Sequence, residues 1–148
     1  MCGIVGYIGK DLVGPGVVIK GLQRLEYRGY DSAGIAIKDG LGIRVHRSVG
    51  GVDNLYEAIP EDQSWEVDCA IGHTRWATHG VPSDENAHRH YDRNKDFAII
   101  HNGIIENYAE MKEELQSDDY QFESETDTEV VAVELSKQWT GNLLETVC

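Results

Sequence analysis

Positive charge is scarce in this chain of 148 residues: thirteen Lys and Arg stand against 26 Asp and Glu, a formal charge of −13. No nucleic-acid partner is expected on that balance, because phosphate backbones are held by basic footprints. Cysteine is sparse too. Cys2, Cys69 and Cys148 are odd in number, widely spaced and without a CxxC pair, which fits neither a disulfide framework nor a zinc ribbon. No apolar run approaches a membrane span, and none follows a basic N-terminus as a signal peptide would. The expected location is therefore cytoplasmic, with no membrane partner. Repeats, low-complexity tracts and linkers are also lacking. The six histidines include the pair His88-x-His90, yet there is no HExxH and no Cys/His quartet at structural-zinc spacing. No metal site is assigned, and the absence of a glycine-rich phosphate cradle with lysine leaves no cofactor implied.

What is present is ordinary globular composition. Hydrophobic residues at 41% and charged residues at 26% decide against disorder, and the length suits one domain with a sizeable core. The acid is concentrated, with ten carboxylates and one lysine between Glu106 and Glu129. That stretch reads as a solvated surface.

Local patterns place the elements. IVGYI, residues 4–8, predicts a short buried strand. A helix follows, with Pro15 at its first position and Val18, Leu22 and Leu25 on one face. AGIAIK and GIRVHRS predict successive strands joined at Asp39-Gly40. DNLYEAI suits a short helix, and VDCAIGH a second buried strand. HTRWATHGVPSDENAHRHYDRN reads as a long polar loop. FAIIH resumes the strand pattern, and IENYAEMKEEL reads as an amphipathic helix. Thr126 and Glu129 form a capping-box pattern ahead of a last helix, VVAVELSKQW. Mixed strands and helices with short connections predict a layered α+β domain.

Four stretches could carry chemistry, and each has a plainer alternative. If Met1 is removed, Cys2 carries a thiol beside a free α-amine whose reference pKa of about 7.7–8.0 suits a base near neutrality. That is the N-terminal form of nucleophile activation; the commoner fate of a lone cysteine is burial in a core. In HNG, residues 101–103, Asn-Gly is a strong hairpin signal. A helical pattern follows it, however, and a strand-to-helix corner would offer the Asn102 carboxamide and the Gly103 N–H as adjacent neutral donors, the needs of an oxyanion hole. In HTRWATHG, the planar fork of Arg75 suits a carboxylate, although a surface ion pair and a core Trp76 would explain the same residues. Asp127 falls in a first helical turn, where a carboxylate also simply offsets the helix dipole.

Taken in order, MCGIVGYIG, RLEYRGYDSAG, GHTRWATHG, NAH, HNGIIENY and SETDTEV closely resemble the glutaminase domain of the glucosamine-6-phosphate synthases. These are class II, N-terminal-nucleophile amidotransferases, also called glutamine–fructose-6-phosphate aminotransferases (isomerising). The resemblance runs from residue 2 to about 135. It implies the four-layer αββα sandwich of the N-terminal-nucleophile hydrolases, with residues 2–148 as a glutaminase domain incomplete on its C-terminal side and the sugar isomerase domains absent. About five strands are too few to fill two stacked sheets, and Leu143, Leu144 and Val147 have nothing later to cover them. Little or no stable glutaminase activity is therefore expected from the isolated 148 residues.

The resemblance also implies roles for particular residues. Cys2 is the nucleophile that attacks the side-chain amide of L-glutamine. Asn102 and Gly103 form the oxyanion hole, and Arg28 supports the N-terminal corner. Arg75, with Thr78 and His79, holds the glutamine α-carboxylate; Asp127 pairs with the α-ammonium; Trp76 lies in the loop that closes over the substrate. The ammonia released would aminate fructose 6-phosphate in the missing domains of a homodimeric full-length enzyme. One departure is NAHRH, where the family usually has proline in place of Arg89, which bears on loop geometry and not on the chemistry. Two alternatives stand beside this reading: the glutaminase domain of another class II enzyme, such as an amidophosphoribosyltransferase, and an inactive glutamine-binding remnant.

Overall fold

The computed structural model describes residues 2–11, 13–40, 42–60, 67, 69–75, 90–91, 96–122, 124 and 126–147. Its centre is a four-stranded antiparallel sheet in the order β1-β4-β2-β3. The strands are β1 (Gly3–Ile8), β2 (Ser32–Asp39), β3 (Gly42–Val49) and β4 (Cys69–Arg75). A two-stranded ribbon, β5 (His90–Tyr91) with β6 (Ala98–Ile99), lies apart from it. The helices are α1 (Gly14–Leu25), α2 (Val52–Ala58), α3 (Tyr108–Ser117), α4 (Asp127–Lys137) and α5 (Leu143–Val147), and a 3₁₀ turn at Glu26–Arg28 follows α1. The molecule is thus α+β, as its composition of elements predicts.

Strand register explains where the core sits. Residues directly opposite in an antiparallel ladder point to the same face. The pairs Val5↔Gly72, Tyr7↔Ala70, Ile35↔Gly72 and Ile37↔Ala70 therefore define one face. Its Val5, Tyr7, Ala33, Ile35, Ile37 and Ala70 pack with Val18, Ile19 and Leu22 of α1 and Val52 and Leu55 of α2. Val18 and Leu22 are fully buried, which confirms the helical stripe expected of α1. Each such side chain contributes about 1.5–3 kcal/mol of apolar transfer free energy.

Several expectations need correction. β4 does not stop at His73 but continues through Thr74 and Arg75, so these residues belong to a strand and not to the long polar loop. Three ladder positions, Gly3↔Thr74, Ala33↔Thr74 and Ser32↔Arg75, hold them there, and pairing partners that distant in sequence leave no local trace. Asp39 closes β2 opposite Gly42, so it belongs to the strand and not to the turn that the Asp39-Gly40 signal predicts. The FAIIH strand shortens to Ala98–Ile99. Pro15 is the second residue of α1, which opens at Gly14. Residues 143–147, expected only as an uncovered apolar tail, form the short helix α5, where Leu143, Leu144 and Val147 are exposed.

The start of α4 is capped, but by a shifted partner. Thr126 occupies the N-cap in extended conformation without a side-chain cap bond. Glu129 instead reaches back to Ser124, whose backbone N–H and hydroxyl both donate to Oε2 at 2.7 Å. The Ser124 hydroxyl oxygen in turn accepts the Thr126 N–H at 3.3 Å. Phe97, beside β6, packs on Trp139 beyond the end of α4 with ring centroids 5.1 Å apart, tying the ribbon to that helix.

Candidate active site

The second face of the sheet has a different character. Ile4↔His73, Gly34↔His73 and Ser32↔Arg75 are opposite one another on it. His73, Arg75 and Ser32 are buried there although polar. Continuing the β1–β4 register one step beyond Gly3↔Thr74 brings Cys2 alongside Arg75. The approach is tight: a Cβ at residue 3 would lie 2.8 Å from both Leu25 Cβ and Thr74 Oγ1. Only glycine lets the chain enter β1 between the end of α1 and β4. The Gly3 N–H donates to Thr74 Oγ1 at 3.2 Å, which anchors the residue next to Cys2.

The HNG segment comes to this N-terminal corner from the other side. It forms no hairpin: the chain leaves β6, turns through residues 100–107 and enters α3 at Tyr108. Asn102 Nδ2 donates to the Cys2 backbone carbonyl at 3.2 Å. Asn102 Oδ1 faces His73 Nε2 at 2.9 Å. A Cβ at residue 103 would lie 2.8 Å from His101 Nε2, so a side chain there would have to displace the imidazole. Asn102 and Gly103 are both exposed, and a ligand can reach them.

Asp127 begins α4 and is buried. Its Oδ2 accepts the Ile105 N–H at 2.7 Å and its Oδ1 the Thr128 hydroxyl at 3.3 Å. The carboxylate therefore pins the HNG loop to the helix, beyond merely offsetting the helix dipole. Thr128 Oγ1 also lies 3.5 Å from His101 Nδ1.

Arg75 is the electrostatic centre of the group. Burial lowers its pKa, while Cys2, Asp31 and Asp127, in that order, act in the opposite direction. The guanidinium remains a cation at neutral pH, since arginine does not give up its proton in proteins. Its carboxylate neighbours offset part of the cost of burying that charge. Asp31 also secures the end of β4, donating its N–H to the Arg75 carbonyl at 3.1 Å and accepting from the Gly50 N–H at 2.9 Å.

Cys2, Asn102, Arg75 and Asp127 are thus brought together. Gly103 adjoins them in the HNG loop, and Arg28 lies in the 3₁₀ turn that follows Leu25. Trp76, Thr78, His79, Arg89 and His88 lie outside the described residues, as does the side chain of His90. Among the described residues, no group of three or more His, Cys, Asp or Glu could hold a metal ion. Sequence reasoning missed His73 and Thr74, which the extended β4 brings to the site. The signal was the two-residue spacing of His73 and Arg75, which share a face once they belong to a strand.

Cys2, the Asn102 carboxamide, the buried Arg75 cation and the Asp127 carboxylate are therefore the groups that this corner of the sheet assembles. The chain belongs to the family described as "Glutamine amidotransferase domain", whose model matches residues 60–147. Within that class, its similarity is to glutamine–fructose-6-phosphate aminotransferases (isomerizing). It is 52% identical to the protein of Aquifex aeolicus over 147 residues, 99% of this chain and 24% of the relative. It is 51% identical to that of Fusobacterium nucleatum over 149 residues, again 99% of this chain and 24% of the relative. The chain therefore spans about a quarter of the length of these relatives. Among solved structures, glutamine phosphoribosylpyrophosphate amidotransferase from B. subtilis, complexed with ADP and GMP, superposes with a TM-score of 0.78 at 27% identity, covering 99% of this chain and 31% of that one. The chain is a glutamine amidotransferase domain of α+β fold, homologous to the glutaminase part of the fructose-6-phosphate enzymes. Among the described residues no helix is long and apolar enough to cross a membrane.

Proposed function

We propose that this domain hydrolyses the side-chain amide of L-glutamine with Cys2, exposed by removal of Met1, as the nucleophile. The observation that carries the reading is the meeting of Cys2 with the Asn102 carboxamide, 3.2 Å from its carbonyl, beside the buried cation Arg75. The Cys2 α-amine takes the thiol proton as sulfur bonds to the amide carbon. The oxyanion that develops is held by Asn102 Nδ2 and the Gly103 N–H. Collapse breaks the carbon–nitrogen bond, and the departing nitrogen takes the proton and leaves as ammonia. Water then adds to the thioester, releasing glutamate and restoring the thiol. Throughout, Arg75 holds the α-carboxylate and Asp127 the α-ammonium, with Trp76, Thr78 and His79 completing the pocket and Arg28 supporting the N-terminal corner.

In a protein of the relatives' length, the ammonia would convert fructose 6-phosphate to glucosamine 6-phosphate in sugar isomerase domains outside residues 2–148. The identity of about half to relatives named for that acceptor favours it over phosphoribosyl pyrophosphate, named for the 27%-identical structure. We place the enzyme in the cytoplasm as a homodimer without a membrane partner, and without a nucleic-acid partner in view of its formal charge of −13. The test is glutamine hydrolysis by the complete enzyme, a protein of the relatives' length. Cys2→Ala, or an uncleavable N-terminal extension, should abolish glutamate release. Full activity with Met1 retained, verified by mass spectrometry, would sink the mechanism.

A further inference from the structure

We propose that His73 is a positioning residue that sets which way the Asn102 carboxamide faces, and so makes it a donor to the oxyanion. The inference rests on the reading of Asn102 as an oxyanion-hole donor. An asparagine amide has a donor end and an acceptor end of nearly equal shape. Turned by half a rotation, Asn102 would present Oδ1 to a developing negative charge and oppose the reaction. Asn102 is exposed on a loop, so its own packing does not choose between the two orientations. Two contacts do. The Cys2 carbonyl, 3.2 Å away, can only accept, so it faces Nδ2. Oδ1 then faces His73 Nε2 at 2.9 Å, and a favourable contact requires that nitrogen to carry the hydrogen. The network therefore assigns His73 the Nε2–H tautomer.

The anchor is a buried residue of the central sheet. His73 is 1% exposed and stands on β4 between Ile4 and Gly34 in the ladder. Its ring spans from the sheet to the HNG loop and passes the sheet's order to the amide. With His73 and the Cys2 carbonyl engaged, the second Nδ2 hydrogen is left to meet the oxyanion. Losing the imidazole would release the carboxamide to both orientations, lowering the donor's availability when charge develops while leaving the α-carboxylate and α-ammonium contacts in place.

The test uses the complete enzyme, with His73→Leu, His73→Gln, Asn102→Ala and the double variant His73→Leu/Asn102→Ala. Active sites are counted by stoichiometric alkylation of Cys2 with an electrophilic glutamine analogue, so misfolded molecules drop out of the rate. His73→Leu should lower kcat per titrated site by about 10–100-fold, the scale of losing an outer partner that orients a metal-ligating side chain, with KM for glutamine within about twofold. His73→Gln, whose amide can still donate to Oδ1, should recover most of that loss. In the double variant the leucine should add less than about twofold to the loss from Asn102→Ala, because the two residues act through one atom. Should His73→Leu not fold, the ¹⁵N shifts of labelled wild-type imidazole still decide, since they report the tautomer directly. An Nδ1–H imidazole, a wild-type kcat per site in His73→Leu, equal loss in the glutamine and leucine variants, or multiplicative losses in the double variant would each overturn the inference. An unchanged kcat in Asn102→Ala would instead overturn the oxyanion assignment, and this inference with it.

Discussion

The two faces of the central sheet are built from the same four strands and obey opposite rules. One is apolar and dry: Val5, Ile35, Ile37 and Ala70 lie against Val18 and Leu22 of α1 and Leu55 of α2. The other buries an arginine, a histidine and a serine at one end, while at its other end Ile8, on the edge strand, is 85% exposed. Apolar burial stabilises wherever it occurs, so the first face needs only volume and periodicity. Burying Arg75 and His73 costs solvation and is sustained only by specific partners. The sheet's fold energy and its chemistry are therefore concentrated on different faces, and substitutions should separate them.

The largest effect should come from the polar face. Cys2→Ala should reduce glutamine hydrolysis by at least about 10³-fold, as expected when a nucleophile is removed; residual turnover above that level would break the contrast at its strongest point. Asn102→Ala should cost kcat about 10²–10³-fold, the scale of one oxyanion donor, with little change in KM. A change in KM alone would reassign Asn102 to substrate binding.

On the apolar face, Leu22→Ala should destabilise folding by about 2–5 kcal/mol through the cavity it leaves, measured by denaturant titration of the full chain. Its kcat per titrated Cys2 should stay at the wild-type value. A fall in that quantity would mean that the two faces are energetically coupled. Arg75→Lys keeps the charge but loses the planar fork. It should raise KM for glutamine about 10–100-fold, the equivalent of a charge-assisted hydrogen bond worth roughly 1.5–3 kcal/mol, with kcat little altered. The smallest effect belongs to Ile8→Thr, where stability should move by no more than about 0.5 kcal/mol. A larger loss would show that Ile8 is covered in the full chain.

Much of the fold was legible because it is local. The apolar stripe of α1, the succession of β2 and β3 and the entry to α4 after Thr126 are properties of ten or so adjacent residues, and the structure keeps them. The capping pattern at Thr126 and Glu129 located the helix but misassigned the partner, since Ser124 was an equally short reach away. HNG was ambiguous for a similar reason. Asn-Gly suits a hairpin, and only the helix that follows argued for a corner.

Residue chemistry and order along the chain by themselves determined the α+β class, the nucleophile candidate and the amidotransferase resemblance, because those are carried by composition, short periods and contiguous motifs. Tertiary structure alone decided that Arg75 is a buried strand residue, that Asn102 turns its nitrogen to Cys2, and that His73 stands behind it. Those facts depend on ladder registers and hydrogen bonds between residues 29 to 100 positions apart. Such pairings are selected by the burial and hydrogen-bond satisfaction of the whole sheet, a condition that no local stretch of sequence expresses.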